Sequence, residues 1–176
     1  MEAGELSVVA ALVVTAACAV TDWRTGRIPN DVTGCAWVAG VLGAALLHRA
    51  DPYGAAGGAV LGSVVCAIVP AVMWRAGGMG GGDVKLIAAV GAIVGPSRGL
   101  EITFAAFAFA VAFVILRRAW HGDLFATLGR AFALVNPLHR AGAKRVVHPT
   151  LSETIGFAPA LLLGTVVVAA AGGWPS

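Results

Sequence analysis

The chain has 176 residues, of which 59% are hydrophobic and 12% charged, with a mean hydropathy of +0.86 and a net charge of +3. Soluble domains carry roughly a quarter of their residues as charges, so this composition excludes an ordinary soluble protein and points to an integral membrane protein. At about 20 residues per membrane crossing, the length accommodates several spans and no separate soluble domain of useful size.

The first apolar run, Leu6 to Val20, passes through Ala16-Ala17-Cys18, loosely like a lipoprotein cleavage site. Only Glu2 and Glu5 precede it, whereas a secretion signal opens on Lys or Arg; the run is therefore read as a transmembrane helix that stays. Cutting the chain at its charges and turn residues gives five further stretches: 32–47, 55–74, 84–94, 100–116 and 157–171. The expected fold is an all-α integral membrane protein of about six transmembrane helices, one polytopic domain over residues 1–176. The stretch 84–94 is the weakest of these, being short, carrying Lys85 and running into Gly95-Pro96. A short helix beside a water-filled cavity accommodates it, because irregular backbone at membrane depth is tolerated where protein or water covers it.

Charge placement sets the orientation. Ten of the twelve Lys and Arg residues fall on one side, nine in the loops after the first, third and fifth stretches and Lys85 at the edge of the second of these loops, and only Arg49 and Arg98 fall in the opposite loops. The positive-inside rule puts the three basic loops in the cytoplasm and both termini outside. In the longest of them, residues 117–150, Leu124, Phe125, Leu128, Phe132 and Val135 form a stripe at helical spacing. It reads as an amphipathic helix on the inner leaflet or as a partner-binding surface.

Acids are scarce: nine Asp and Glu in the whole chain. Asp22 closes the first stretch and Asp83 opens the fourth, directly after Gly80-Gly81-Gly82. Two crossings separate them, so both carboxylates return to one face, the basic one. Asp22 stands at a helix C-terminus, where the macrodipole disfavours a negative charge, so capping does not explain it, although a salt bridge to Arg24 or Arg27 would. For Asp83 a helix N-cap is the bland reading. The run Gly77-Gly78-Met79-Gly80-Gly81-Gly82 ahead of it lets the backbone take positive φ and approach a second chain closely, as an extended substrate beside an acid would require; a flexible linker is the alternative. Two close carboxyl groups sharing one proton can hydrolyse a peptide, the ionised member activating water and the protonated member donating to the scissile carbonyl.

Other polar residues have plainer readings. Lys85 holds a carboxylate, the substrate or lipid headgroups, or else snorkels. Cys18, Cys35 and Cys66 lie in apolar stretches without a Cys-x-x-Cys pair, so they are packing residues and no metal or cofactor is implied. His48, His121, His139 and His148 fall in or near loops. No Ser-His-Asp set and no His-Glu-x-x-His offers a rival mechanism.

Asp22 followed by Arg27-Ile28-Pro29-Asn30, then Gly80-x-Gly82-Asp83-Val84-Lys85-Leu86 two spans later and Phe157-Ala158-Pro159-Ala160 at the last helix, resembles the type IV prepilin peptidases, membrane aspartyl proteases of the Gly-x-Gly-Asp type. The resemblance implies Asp22 and Asp83 as the catalytic pair and Gly80, Gly82 and Lys85 as substrate-binding or active-site loop residues. It also implies a prepilin-like membrane protein as substrate, cut after its basic leader at the cytoplasmic face of the inner membrane. The bilayer is the other partner, and no nucleic acid is implied. Many members resemble a two-function enzyme with an extra cytoplasmic segment that methylates the new amino terminus. Only residues 22–32 separate the first two stretches here, so the chain resembles the short, peptidase-only forms associated with tight-adherence pili or related secretion systems. An ion-coupled transporter and a non-catalytic component of a pilus or secretion apparatus stay open as alternatives.

Overall fold

The structure, a computed structural model, describes residues 3–120 and 157–171. They fall into two compact units, Met1–Phe109 with Gly156–Ser176, and Ala110–Ile155, of which only the start, to Trp120, is described. The regular elements of the described residues are all α-helices: α1 (Ala3–Thr25), α2 (Asn30–Leu47), α3 (Pro52–Arg75), α4 (Gly81–Val94), α5 (Pro96–Trp120) and α6 (Phe157–Ala170). The predicted stripe from Leu124 to Val135 lies outside the described residues.

Among the described residues, four helices are long and apolar enough to cross a membrane: Gly4–Thr25, Asn30–Leu47, Pro52–Arg75 and Pro96–Arg117. With the predicted apolar stretches they make this an α-helical, multi-pass membrane protein. α4 and α6 have 14 residues each, about 21 Å at 1.5 Å per residue, short of the ~30 Å hydrocarbon core. The six apolar stretches thus correspond to six helices, four of spanning length.

Their ends differ from the charge-based cuts because helices stop at backbone signals. α1 runs past Val20 to Thr25, where Gly26 adopts φ 62° and donates its N–H to the Asp22 carbonyl at 2.8 Å, a left-handed C-terminal cap that satisfies one orphan carbonyl. Asp22 is therefore inside the helix, one turn from its end. α3 begins with Pro52 behind Asp51, whose Oδ1 accepts from the Gly54 N–H at 2.9 Å, a proper N-cap. Single-residue Gly95 (φ 80°) joins α4 to α5.

α4 is the buried centre of the first unit. Leu86, Ile87, Ala89, Val90 and Ala92 are buried, and the helix packs against α1, α2, α3 and α6. Close approach explains how a short helix gathers so many neighbours. A β-carbon on Gly62 of α3 would run into the Gly91 carbonyl oxygen, and one on Gly40 of α2 would stand 3.0 Å from the backbone of Ala92. Small residues at membrane helix contacts let backbones meet and gain dispersion energy where no hydrophobic drive exists. Trp37 Nε1 donates to Ser63 Oγ at 2.9 Å between α2 and α3, while Thr15, Thr103 and Thr165 satisfy their buried hydroxyls on carbonyls one turn back. The outer faces are apolar and exposed, as Val13, Leu42, Ile68 and Val72 illustrate, the arrangement lipid requires.

Candidate active site

The site forms where the C-terminal end of α1 meets the N-terminal end of α4. Cys18 and Ala19, one turn before Asp22, share a core cluster with Leu86, Ile87 and Val90, which follow Asp83, and with Ala158 and Leu161 of α6. That packing brings the two aspartates into electrostatic reach of each other.

Asp22 is half-buried, and its Oδ2 is a buried polar atom with no hydrogen-bond partner among the described residues. The backbone N–H of Ala158, at the start of α6, hydrogen-bonds the carboxylate. No ion pair to Arg24 or Arg27 forms among the described residues, so the salt-bridge reading of Asp22 does not hold. An unsatisfied buried acceptor carries a desolvation cost of about 1–3 kcal/mol and calls for an explanation beyond packing.

Asp83 occupies the first turn of α4, outside the four candidate spans. Its N-cap reading is corrected: the N-cap is Gly80, and Asp83 stands three residues into the helix. From there its carboxylate takes a hydrogen bond from the Gly80 N–H, half of a capping box. Burial first, and the charge of Asp22 second, push the Asp83 carboxyl up to about 6, and the Gly80 bond offsets part of that rise. A carboxylate serving only as a cap would have its ordinary affinity for a proton lowered, not raised.

Positive φ, expected along the glycine run, is confined to one position. Of its five glycines only Gly77 has positive φ, at 78°. It terminates α3: Gly77 N–H donates to the Trp74 carbonyl at 2.9 Å and Gly78 N–H to that of Met73 at 2.8 Å, a Schellman motif. Gly80 caps α4 in extended conformation, and Gly81 and Gly82 are helical. What these last need is space. A β-carbon would stand 3.2 Å from Trp74 Nε1 at Gly81, 3.1 Å from Ile28 Cβ at Gly82, and 3.0 Å from the Asp83 Oδ2 at Gly80.

Lys85 is exposed and donates to Asn30 Oδ1 at 2.8 Å; it forms no ion pair with either aspartate among the described residues. Ile28 and Asn30 stand in the sequence motif without a role of their own, and Ala158 only as part of the closing one. An open apolar groove of ≈ 240 Å³ beside the end of α1 is lined by Ala19, Val20, Trp23, Arg24 and Pro159; it excludes both aspartates and is not the place where they meet. Among the described residues no cluster of His, Cys, Asp and Glu could hold a metal ion.

Two acids at adjoining helix ends, one with an orphan oxygen and one held towards protonation, match the sequence pattern already noted. The model of the type IV leader peptidase family matches residues 9–115. The chain belongs to that family. The matched range contains most of α1, all of α2 to α4 and most of α5, hence Asp22, Asp83, Gly80, Gly82 and Lys85, while Phe157-Ala158-Pro159-Ala160 lies beyond it. No curated protein and no solved structure matches the chain.

Proposed function

We propose that this peptidase is an aspartic endopeptidase that removes the basic leader of prepilin-like precursors at the cytoplasmic face of the inner membrane, with Asp22 and Asp83 as its catalytic pair. The observation that carries the reading is the buried Oδ2 of Asp22, unpartnered among the described residues, within the field of an Asp83 pushed up to about 6. Neighbouring carboxyl groups in a poorly solvated place share one proton, because two like charges that close do not both ionise.

The chemistry then follows. The ionised carboxylate takes a proton from water as the water oxygen attacks the scissile carbonyl carbon, and the protonated partner donates to the carbonyl oxygen. Collapse of the tetrahedral intermediate breaks the carbon–nitrogen bond: the leaving nitrogen takes up the pair's proton while one hydroxyl of the intermediate returns its own to the other carboxylate, so the pair again holds one proton. Gly80 and Gly82 keep side chains out of the space around Asp83 and Ile28, which supports their assignment to the active-site loop.

Orientation rests on charge and aromatic placement. α1 ends in exposed Trp23 with Arg24, and α3 in exposed Trp74 with Arg75. Trp belongs at the headgroup level and Lys and Arg on the cytoplasmic side, so the end of the bundle that holds both aspartates faces the cytoplasm and both termini face outward. Mixing the purified protein in detergent with a purified precursor carrying a basic leader ahead of a hydrophobic helix tests the proposal: it predicts a product shortened by the leader, and an uncut precursor would contradict it.

A further inference from the structure

The segment from the end of α1 to Asn30, the first residue of α2, is fastened to the first turns of α4 at two points. Ile28 lies against Gly82 and packs on the cluster that contains Leu86 and Ile87. One turn further along α4, Lys85 Nζ donates to Asn30 Oδ1 at 2.8 Å. Both ends of the segment are themselves anchored. Gly26 N–H holds the Asp22 carbonyl at 2.8 Å, Thr25 Oγ1 donates to the Arg27 carbonyl at 3.2 Å, and buried Thr33 donates from Oγ1 to the Asn30 carbonyl at 3.0 Å. The amide of Asn30 is thus presented from a fixed backbone.

We propose that Asn30 is a positioning residue: by holding Lys85 it fixes the first turns of α4, and with them Asp83, in the register that Asp22 requires. The inference rests on the reading of Asp22 and Asp83 as the catalytic pair. It gives Lys85 a task inside the protein in place of contact with substrate. Misplacement of a reacting group by ~1 Å costs up to about a hundredfold in rate, so a clamp that touches no substrate acts on turnover.

The test is a double-mutant cycle on the full chain in detergent, with cleavage of a purified prepilin-like precursor as readout and thermal unfolding as the folding check. Asn30→Ala and Lys85→Met each lower kcat about tenfold, as loss of an exposed hydrogen bond to a charged group warrants, and leave KM within about twofold. The double variant is no slower than the slower single one, because both remove the same bond. Asn30→Asp, which still accepts from Lys85, recovers at least about a third of wild-type kcat. Additive losses, an unchanged kcat in Asn30→Ala, or a Lys85→Met variant that raises KM alone would overturn the assignment. Should Asn30→Ala fail to fold, Lys85→Met and Asn30→Asp decide by the same criteria. Asp22→Asn and Asp83→Asn in the same assay separate the two readings: if both are inactive and the cycle is additive, only the role of Asn30 falls. If both cleave at the wild-type rate, the pair and the clamp fall together.

Discussion

Ile28, in the segment after α1, lies so near Gly82 in the first turn of α4 that a β-carbon on the glycine would stand 3.1 Å from Ile28 Cβ. The contact joins the helix end that carries Asp22 to the one that carries Asp83. Gly82 is helical, so a side chain there is not opposed by φ, and Ala would favour the helix by up to about 1 kcal/mol. What opposes it is space, because Ile28 would have to give by a few tenths of an ångström.

Gly82→Val is therefore predicted to lower prepilin cleavage by about a hundredfold through displacement of Asp83, while membrane insertion is retained. Gly82→Ala falls between Val and wild type. Initial cleavage rates on purified protein, with membrane fractionation alongside, provide the check, and a Gly82→Val enzyme as fast as wild type would show that this approach does not position Asp83.

Much of this site was legible in the sequence because acids are rare in an apolar chain and glycines rarely cluster. Counting crossings was enough to return Asp22 and Asp83 to one end of the bundle, and α1 and α4 do meet there. The helix ends were less legible. Cutting at charges stopped the first stretch at Val20, whereas the helix ends at Gly26, whose left-handed conformation no hydropathy pattern encodes. Positive φ, expected of the glycine run, holds at Gly77 alone, and the proximity of Gly82 to Ile28 and of Gly62 to Gly91 depends on tertiary packing that a single residue does not encode. Asn30 gave no signal of its own, since its partner is 55 residues away.

Titration of Asp83 gives a second prediction. Its carboxyl is raised from an ordinary value of 3.8 to about 6, so the protonated form favours the folded state. That contribution is fully present below pH 3.8 and is lost as pH rises through about 6. Thermal stability in detergent should thus fall over this window in wild type, and the fall should be smaller in Asp83→Asn. The alkaline limb of kcat/KM should set in near pH 6 as the shared proton is lost. An infrared carboxyl band that vanishes in Asp83→Asn should titrate at lower pH in Asp22→Asn, where the neighbouring charge is gone. A band that titrates identically in both backgrounds would show that the two groups do not interact.

Sidedness is checked with single-cysteine reporters in a background lacking Cys18, Cys35 and Cys66. Positions Arg27 and Arg130 should label only from the cytoplasm, and Asp51 and Ser176 only from outside. Opposite labelling of Arg27 and Gly78 would separate the helix ends on which the site depends.

The most direct measurement is cleavage of a purified prepilin-like precursor by Asp22→Asn, Asp83→Asn and the double variant. Asn keeps the size and hydrogen-bonding shape of Asp but neither shares a proton nor activates water. Each single substitution is predicted to reduce kcat/KM by orders of magnitude, and the double variant to be little worse than either, because groups that act as one unit are not additive. Substantial cleavage by either single variant, folded and inserted like wild type, would contradict the account and place the catalytic acid elsewhere in the chain.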